Sequence, residues 1–339
     1  MNIDFFAACA VIFLISFLVV FLITPKAIKK LEERRIVAPD LNKPERPAVP
    51  KIGGIVMLLG LSLALLLSLQ LHSAGIDKVH MLAAICSITL IAVMGLLDDL
   101  LKIPDRYRVL LPVFAAIPLM VTKAGVTKMN LILWTVDFNL GVLSLPLIGA
   151  VDINLYSLLL VPIGVVACSN LINLLAGFNG LEAGTGAVVS AFIFLASILL
   201  RFAGLHTTET SFIMIGLFGA CLAFLFYNWY PARIFPGNVA TYMIGASIVA
   251  AVVLGNMERV GVIALTPQII EFLLKMRSKF KAENFGRVGR GGRLYYDGEI
   301  CSLTHFLMKT IHPTEKQLVL ILLLLQIFFG VVAVCSIYA

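Results

Sequence analysis

The chain has 339 residues, 60% of them hydrophobic and 13% charged, with a net charge of +7. A soluble domain carries roughly a quarter charged residues, so a soluble enzyme with one anchor is excluded. Apolar runs of about 20 residues, enough to cross the hydrocarbon core, recur along the whole length, and the reading is a polytopic, all-α integral membrane protein.

Taken in chain order, ten spans are predicted, at 4–24, 53–71, 81–97, 109–122, 155–173, 184–200, 210–227, 239–256, 260–275 and 317–338. The first run has no basic residue before it and no small-x-small site after it, so it reads as a membrane helix and not a cleaved signal. The fourth span is short and must tilt or borrow its flanks. The ninth contains Pro267, where a kink or break is expected. The stretch 125–154, with Asp137, Asn139, Gly141 and Asp152, reads as an amphipathic hairpin at the membrane interface. Cys9, Cys86, Cys168, Cys221, Cys301 and Cys335 are scattered without metal-ligand spacing and read as small packing residues.

The basic residues set the orientation. With the N-terminus outside, the inner loops are 25–52, 98–108, 174–183, 228–238 and 276–316, and with span ends included they hold 21 of the 26 lysines and arginines. The expected topology is therefore N-out, C-out. Positive charge gathered in short loops between apolar runs is that of a membrane protein, and no nucleic-acid partner is expected.

The same orientation brings every polar cluster to the inner face. An enzyme working at that interface fits such a pattern. A transporter more often places ionisable groups near mid-membrane. DLNKPERPAVPKIGG (40–54) reads as an extended loop carrying cations, with Pro39 just before it and Pro44, Pro47 and Pro50 within. GLLDDLLKIPDRYR (95–108) closes the third span with Asp98 and Asp99. Adjacent helical residues point about 100° apart, so one carboxylate can face a metal or phosphate while the other faces a base. Lys102, Arg106, Arg108 or a divalent ion would supply the opposing charge.

SNLINLLAGFNGLEAG (169–184) is the stronger signal. Asn170 and Asn173 share a helix face, and amides near the end of a span are costly unless they bind something. Their carbonyl oxygens suit a hard cation and their NH2 groups suit phosphate or a base edge. Gly177 and Gly180 allow a sharp turn beyond the helix, holding Asn179 and Glu182. YNWYPARIFPGNVATY (227–242) opens the eighth span, with Asn238 expected at an N-cap over a phosphate-binding helix end. NFGRVGRGGRLYYDG (284–298) offers Arg287, Arg290 and Arg293 on a glycine-rich loop suited to a diphosphate. A transporter using the Asp pair as a relay, and a scaffold binding anionic lipid, are the rival classes; neither needs the asparagine-glycine segment.

Together these segments resemble the polyprenyl-phosphate N-acetylhexosamine-1-phosphate transferase superfamily (glycosyltransferase family 4). The order D-x-N-K…G-G, Asp-Asp, N-x-x-N…G-x-N-G-L-E, N-W-Y-P…P-G-x-x-x-T and a basic loop runs through almost the whole chain. LLAGFNGLEAG and FYNWYPAR are most similar to the dolichyl-phosphate GlcNAc-1-phosphotransferase branch. The resemblance implies UDP-GlcNAc and a polyprenyl (dolichyl) phosphate as substrates in the bilayer, GlcNAc-PP-polyprenol and UMP as products, and Mg2+ as cofactor, with Mn2+ as the alternative ion. Another UDP-N-acetylhexosamine remains open as donor. The membrane would be the cell membrane in an archaeon and the endoplasmic reticulum in a eukaryote; short outer loops leave the oligomeric state open, a homodimer included.

By the same resemblance, Asp40, Leu41 and Lys51 would lie near the uridine. Asp98 and Asp99 would sit at the reacting phosphates as the catalytic pair. Arg108 falls where the branch often has a lysine for the lipid phosphate. Asn170, Asn173 and Asn179 would bind metal, diphosphate and uracil, with Asn173 as a metal ligand. Asn238 replaces a family aspartate that ligates the metal, keeping an oxygen and losing a charge. Arg287 and Arg290 would meet the sugar diphosphate, although many relatives carry a histidine among these arginines.

Overall fold

The computed structural model describes residues 3–71, 75–101, 103–123, 125, 128–130, 135–145 and 149–338. Seven helical segments among them are long and apolar enough to cross a membrane, which is the build of a polytopic membrane protein. They are α1 (Ile3–Glu33), α3 (Lys78–Leu101), the segment Tyr156–Leu174, which ends in α6 (Val161–Leu174), then α7 (Leu181–Phe202), α8 (Thr208–Asn228), α9 (Gly237–Leu254) and α13 (Glu315–Cys335). The other three predicted spans are shorter pieces. The second is α2 (Gly54–Ser68), and the fourth is α4 (Asp105–Ala115) followed by α5 (Ile117–Val121). The ninth is broken at Leu265 into α10 (Glu258–Ala264) and α11 (Thr266–Met276), with Pro267 in the first turn of α11. Proline is tolerated there because the first-turn N–H has no helical partner to lose.

The expectation of an all-α chain needs correction. Four two-stranded antiparallel sheets lie between helices, pairing β1 (Val37–Pro39) with β2 (Ala48–Pro50), β3 (Lys128–Asn130) with β4 (Thr135–Asp137), β5 (Asn139–Leu145) with β6 (Gly149–Asn154), and β7 (Arg287–Val288) with β8 (Leu294–Tyr295). Each pairs two strands close in sequence, whose main-chain groups satisfy one another where the helical pattern lapses.

α9 is the central helix: 83% of its apolar window is buried, against 28% for α1. It packs chiefly on α3 and α6. Lipid gives no hydrophobic drive between helices, so small residues that let backbones meet supply much of the cohesion. Gly95 of α3 shows this: a Cβ there would stand 2.5 Å from the Asn238 carbonyl oxygen. The contact sets the end of α3, and therefore Asp98 and Asp99, against the beginning of α9. The loop before α9 is tied to the β2–α2 junction, with Gly53 and Gly54 N–H donating to the carbonyls of Phe235 and Pro236 at 2.9 and 2.8 Å. A short helix, α12 (Leu303–Thr310), and the start of α13 complete that end of the molecule.

Candidate active site

The two aspartates divide their work. Asp98 is buried, 3% exposed. Its Oδ1 accepts from Arg108 Nε and the Ile103 N–H, each at 3.0 Å, and its Oδ2 accepts from Asn238 Nδ2 at 2.8 Å. Asp99, one residue on, faces a cleft of about 370 Å³. Its Oδ2 accepts from the Val239 N–H at 3.3 Å, so a carboxylate meets the positive end of α9. The Lys51 ammonium donates to the Asp99 main-chain oxygen at 3.3 Å.

Asn238 was expected as the cap of α9 and is not. Helix α9 begins at Gly237 behind Pro236, with no side-chain cap bond. Asn238 lies inside the first turn, and its amide turns to Asp98 because a buried carboxylate is the stronger acceptor. Gly237 has φ +70°, and a Cβ on it would lie 2.6 Å from Asp99 Oδ2. Glycine here allows the carboxylate to approach the helix end.

Asp40, Leu41, Lys51, Asp99, Asn173 and Asn238 all line the cleft, with the α6–α7 turn and Phe285 completing its walls. Asn173 reaches it from the last turn of α6, its Oδ1 accepting from Thr241 Oγ1 at 3.3 Å. Asn170 is not among the lining residues; its amide donates to Val166 in its own helix at 2.8 Å. Arg108 is turned to Asp98 instead. Arg287 and Arg290 are exposed and do not line the cleft, and Arg287 stands 3.5 Å from Asp297.

Asn179 belongs to a buried network beside the cleft. Its Oδ1 accepts from Lys43 Nζ and the Ala232 N–H, each at 2.8 Å, and its Nδ2 donates to Asp40 Oδ2 at 3.1 Å. Its own N–H donates to Glu315 Oε1 at 2.8 Å. Lys43 also pairs with Asp40 and, at 3.4 Å, with Glu315. Three distant segments, the β1–β2 loop, the α6–α7 turn and the start of α13, are thus held by one ammonium. The sequence reading carried Lys43 and Thr241 as motif positions without giving either a role, and did not single out Glu315 or Phe285. The T-x-x-Q pattern of Thr314 and Gln317 does mark the start of α13, and both capping-box bonds form. Nothing local in the sequence marks the pairing of Glu315 with Lys43.

The donor set suits a small hard cation. Among the residues lining the cleft, the Asp99 carboxylate and the amide oxygens of Asn173 and Asn238 are such donors. Mg2+ is commonly held by one or two carboxylates together with waters and substrate phosphates, and Mn2+ accepts the same oxygens. Asn238 donates its NH2 to Asp98, which leaves its carbonyl oxygen for a cation.

A helical body with spans long enough to cross a membrane, and a cleft of carboxylate, amide and lysine groups at the helix ends, defines a class, an integral membrane protein with a polar site at the ends of its helices. Residues 81–256, from α3 to just beyond α9, match the family model of glycosyl transferase family 4. The chain belongs to that family. It is 37% identical over 322 residues, 95% of this chain and 94% of the other, to a protein of Saccharolobus solfataricus named provisionally as a UDP-N-acetylglucosamine–dolichyl-phosphate N-acetylglucosaminephosphotransferase. A Sulfolobus acidocaldarius protein with the same provisional name is 32% identical over 329 residues, again 95% of this chain and 94% of the other. The Dictyostelium discoideum protein of that name is 31% identical over 216 residues, 58% of this chain and 52% of its own.

Proposed function

We propose that this protein transfers GlcNAc-1-phosphate from UDP-GlcNAc to a polyprenyl (dolichyl) phosphate, giving GlcNAc-PP-polyprenol and UMP. This would be the first membrane step in building a lipid-linked oligosaccharide for protein N-glycosylation. The observation that carries it is the cleft: Asp99, Asn173, Asn238 and Lys51 converge there in a chain similar along 95% of its length to proteins named for this reaction.

A phosphate monoester has a second pKa of about 6 and is largely dianionic at neutral pH, so the acceptor needs little help from a base. Its oxygen attacks the β-phosphorus of the donor, and the bond from that phosphorus to the oxygen bridging the α-phosphate breaks as UMP leaves. A divalent ion held by Asp99, Asn173 and Asn238 would neutralise the diphosphate charge. Asp98 then acts as a positioning residue, orienting Asn238 and restraining Arg108, while Asp99 contacts the reacting groups. Lys51 and Leu41 line the donor side of the cleft.

In this reading the cleft opens to the cytoplasm, the N- and C-termini lie outside, and the chain crosses ten times with α4–α5 and α10–α11 as broken spans. Relatives covering 95% of the chain are archaeal, which favours the cell membrane. The test uses purified protein, dolichyl phosphate, a panel of UDP-sugars, and Mg2+, Mn2+ or chelator. UMP release with UDP-GlcNAc and metal is expected. Release with a different UDP-N-acetylhexosamine alone would reassign the donor, and release with none would overturn the proposal.

A further inference from the structure

Ala176, Gly177 and Phe178 form one wall of the cleft, within the segment 174–180 at the irregular end of a helix. Helix α6 stops at Leu174, with Leu175 at φ −99°, ψ 68°, so its last carbonyls have no partner in the helix. The Asn284 side-chain amide holds this end: Nδ2 donates to the oxygen of Leu174, the last residue of α6, and to that of Ala176 two residues on, each at 2.8 Å. Asn284 lies 110 residues away in the sequence, on the loop after α11.

Asn284 is itself held from behind. Its main-chain oxygen accepts from Thr304 Oγ1 at 2.8 Å at the start of α12. That helix start is anchored by Glu271, whose Oε2 accepts from the Leu303 N–H at 2.8 Å and from Ser302 Oγ at 3.1 Å. The next residue, Phe285, lines the cleft and backs Gly177, where a Cβ would come within 2.8 Å of its ring. Two more side chains grip the main chain of Gly177: Glu182 Oε1 accepts its N–H at 2.9 Å and Asn42 Nδ2 donates to its oxygen at 2.8 Å.

We propose that Asn284 is a positioning residue for the cleft: by holding the carbonyls that follow Asn173, it fixes the direction in which Asn173 leaves α6 and sets Phe285 behind Gly177. Asn284 touches no reacting group. It makes the loop after α11 part of the site, so that the cleft wall is formed only when α12 is docked on Glu271. The kinetic half of the test rests on the transferase reading above, and the exchange half does not.

The experiment compares Asn284→Asp, Asn284→Ala and Thr304→Val with the unaltered protein. It reads amide hydrogen exchange across 174–180, the thermal midpoint, and KM and kcat for UDP-GlcNAc. Aspartate keeps the shape but cannot donate, so both Asn284 variants are expected to speed exchange in 174–180 by about tenfold. KM should rise by a similar factor, as a loosened wall loses substrate contacts. Thr304→Val keeps both amide donations and should give a smaller change in the same direction. Unchanged exchange across 174–180 in a folded Asn284 variant would overturn the proposal. So would a Thr304→Val effect as large as that of Asn284→Ala. If an Asn284 variant fails to fold, Thr304→Val still decides, since no acceleration confined to 174–180 would then refute the link. A wild type with no transferase activity but with accelerated exchange in the variants would refute the reaction while leaving the positioning role intact.

Discussion

Asn238 donates its side-chain amide to Asp98 across the junction of α9 and α3, Nδ2 to Oδ2 at 2.8 Å. The bond joins the buried member of the aspartate pair to a residue that lines the cleft. A carboxylate at position 238 would instead face a carboxylate. Asn238→Asp is expected to lose about 1–3 kcal/mol of stability at neutral pH. The exchange of both residues, Asp98→Asn with Asn238→Asp, should recover part of it. Thermal unfolding in detergent measures both. Equal stability of the single variant and the unaltered protein would contradict the pairing.

Asp99 and Gly237 give a second prediction. Asp99→Asn removes the only carboxylate among the proposed cation ligands and should cut kcat by roughly a hundredfold or more. Gly237→Ala acts indirectly. The new methyl would meet Asp99 Oδ2 at 2.6 Å, and φ +70° is strained for alanine. It should lower kcat by about tenfold with the carboxylate still present. Steady-state UMP release tests both, and full activity in Gly237→Ala would show that Asp99 has room to move.

Among the described residues, Lys43 is the single cation paired with Asp40 and Glu315, whose side chains are 2% and 3% exposed. Lys43→Met should cost about 3–5 kcal/mol, because it leaves two buried carboxylates without their charge partner. Adding Glu315→Gln should return part of the loss. A double-mutant cycle on unfolding midpoints reads the coupling directly.

His305 supplies a pH dependence. It is buried, stacked on Tyr296 with ring centroids 3.6 Å apart, and its Nε2 lies 2.6 Å from the Glu283 carbonyl oxygen. Nδ1 is left to accept from the Cys301 N–H at 3.4 Å, which assigns the neutral ring. Burial pushes its pKa below the ordinary 6.5, and the Lys275 ammonium adds to that shift. The Glu283 and Glu299 carbonyl contacts oppose it. The folded state therefore resists protonation more than the unfolded chain does. Stability from this site is present above about pH 6.5 and is lost as pH falls from there through the lower folded value. Unfolding midpoints between pH 5 and 8 should fall on the acid side, and His305→Gln should flatten that slope.

Much of this molecule was legible in its sequence. Apolar length marked the helices, because a bilayer leaves each spanning segment to satisfy its own backbone. Pro267 marked the break between α10 and α11 through its missing N–H. The D-x-N-K, Asp-Asp, asparagine-glycine and Pro-Gly segments named Asp40, Leu41, Lys51, Asp99, Asn173 and Asn238, which meet in one cleft. A 100° step between neighbours also foretold that the two aspartates would separate.

Which aspartate faces the cleft was not written in that pattern. Asp98 and Asp99 are identical in type, and only the close approach of Gly95 to Asn238 decides that Asp98 turns to Arg108 and Asn238 while Asp99 meets the α9 end. The same holds for Lys43, Glu315 and Asn284. Their partners are 272 and 110 residues away, and hydrogen bonds across such separations carry no periodicity or motif. The sequence by itself marked segments long and apolar enough to cross a membrane and named polar residues that line one cleft. The tertiary structure alone decided the direction of each polar side chain, because a buried donor or acceptor turns to whatever partner packing brings within about 3 Å.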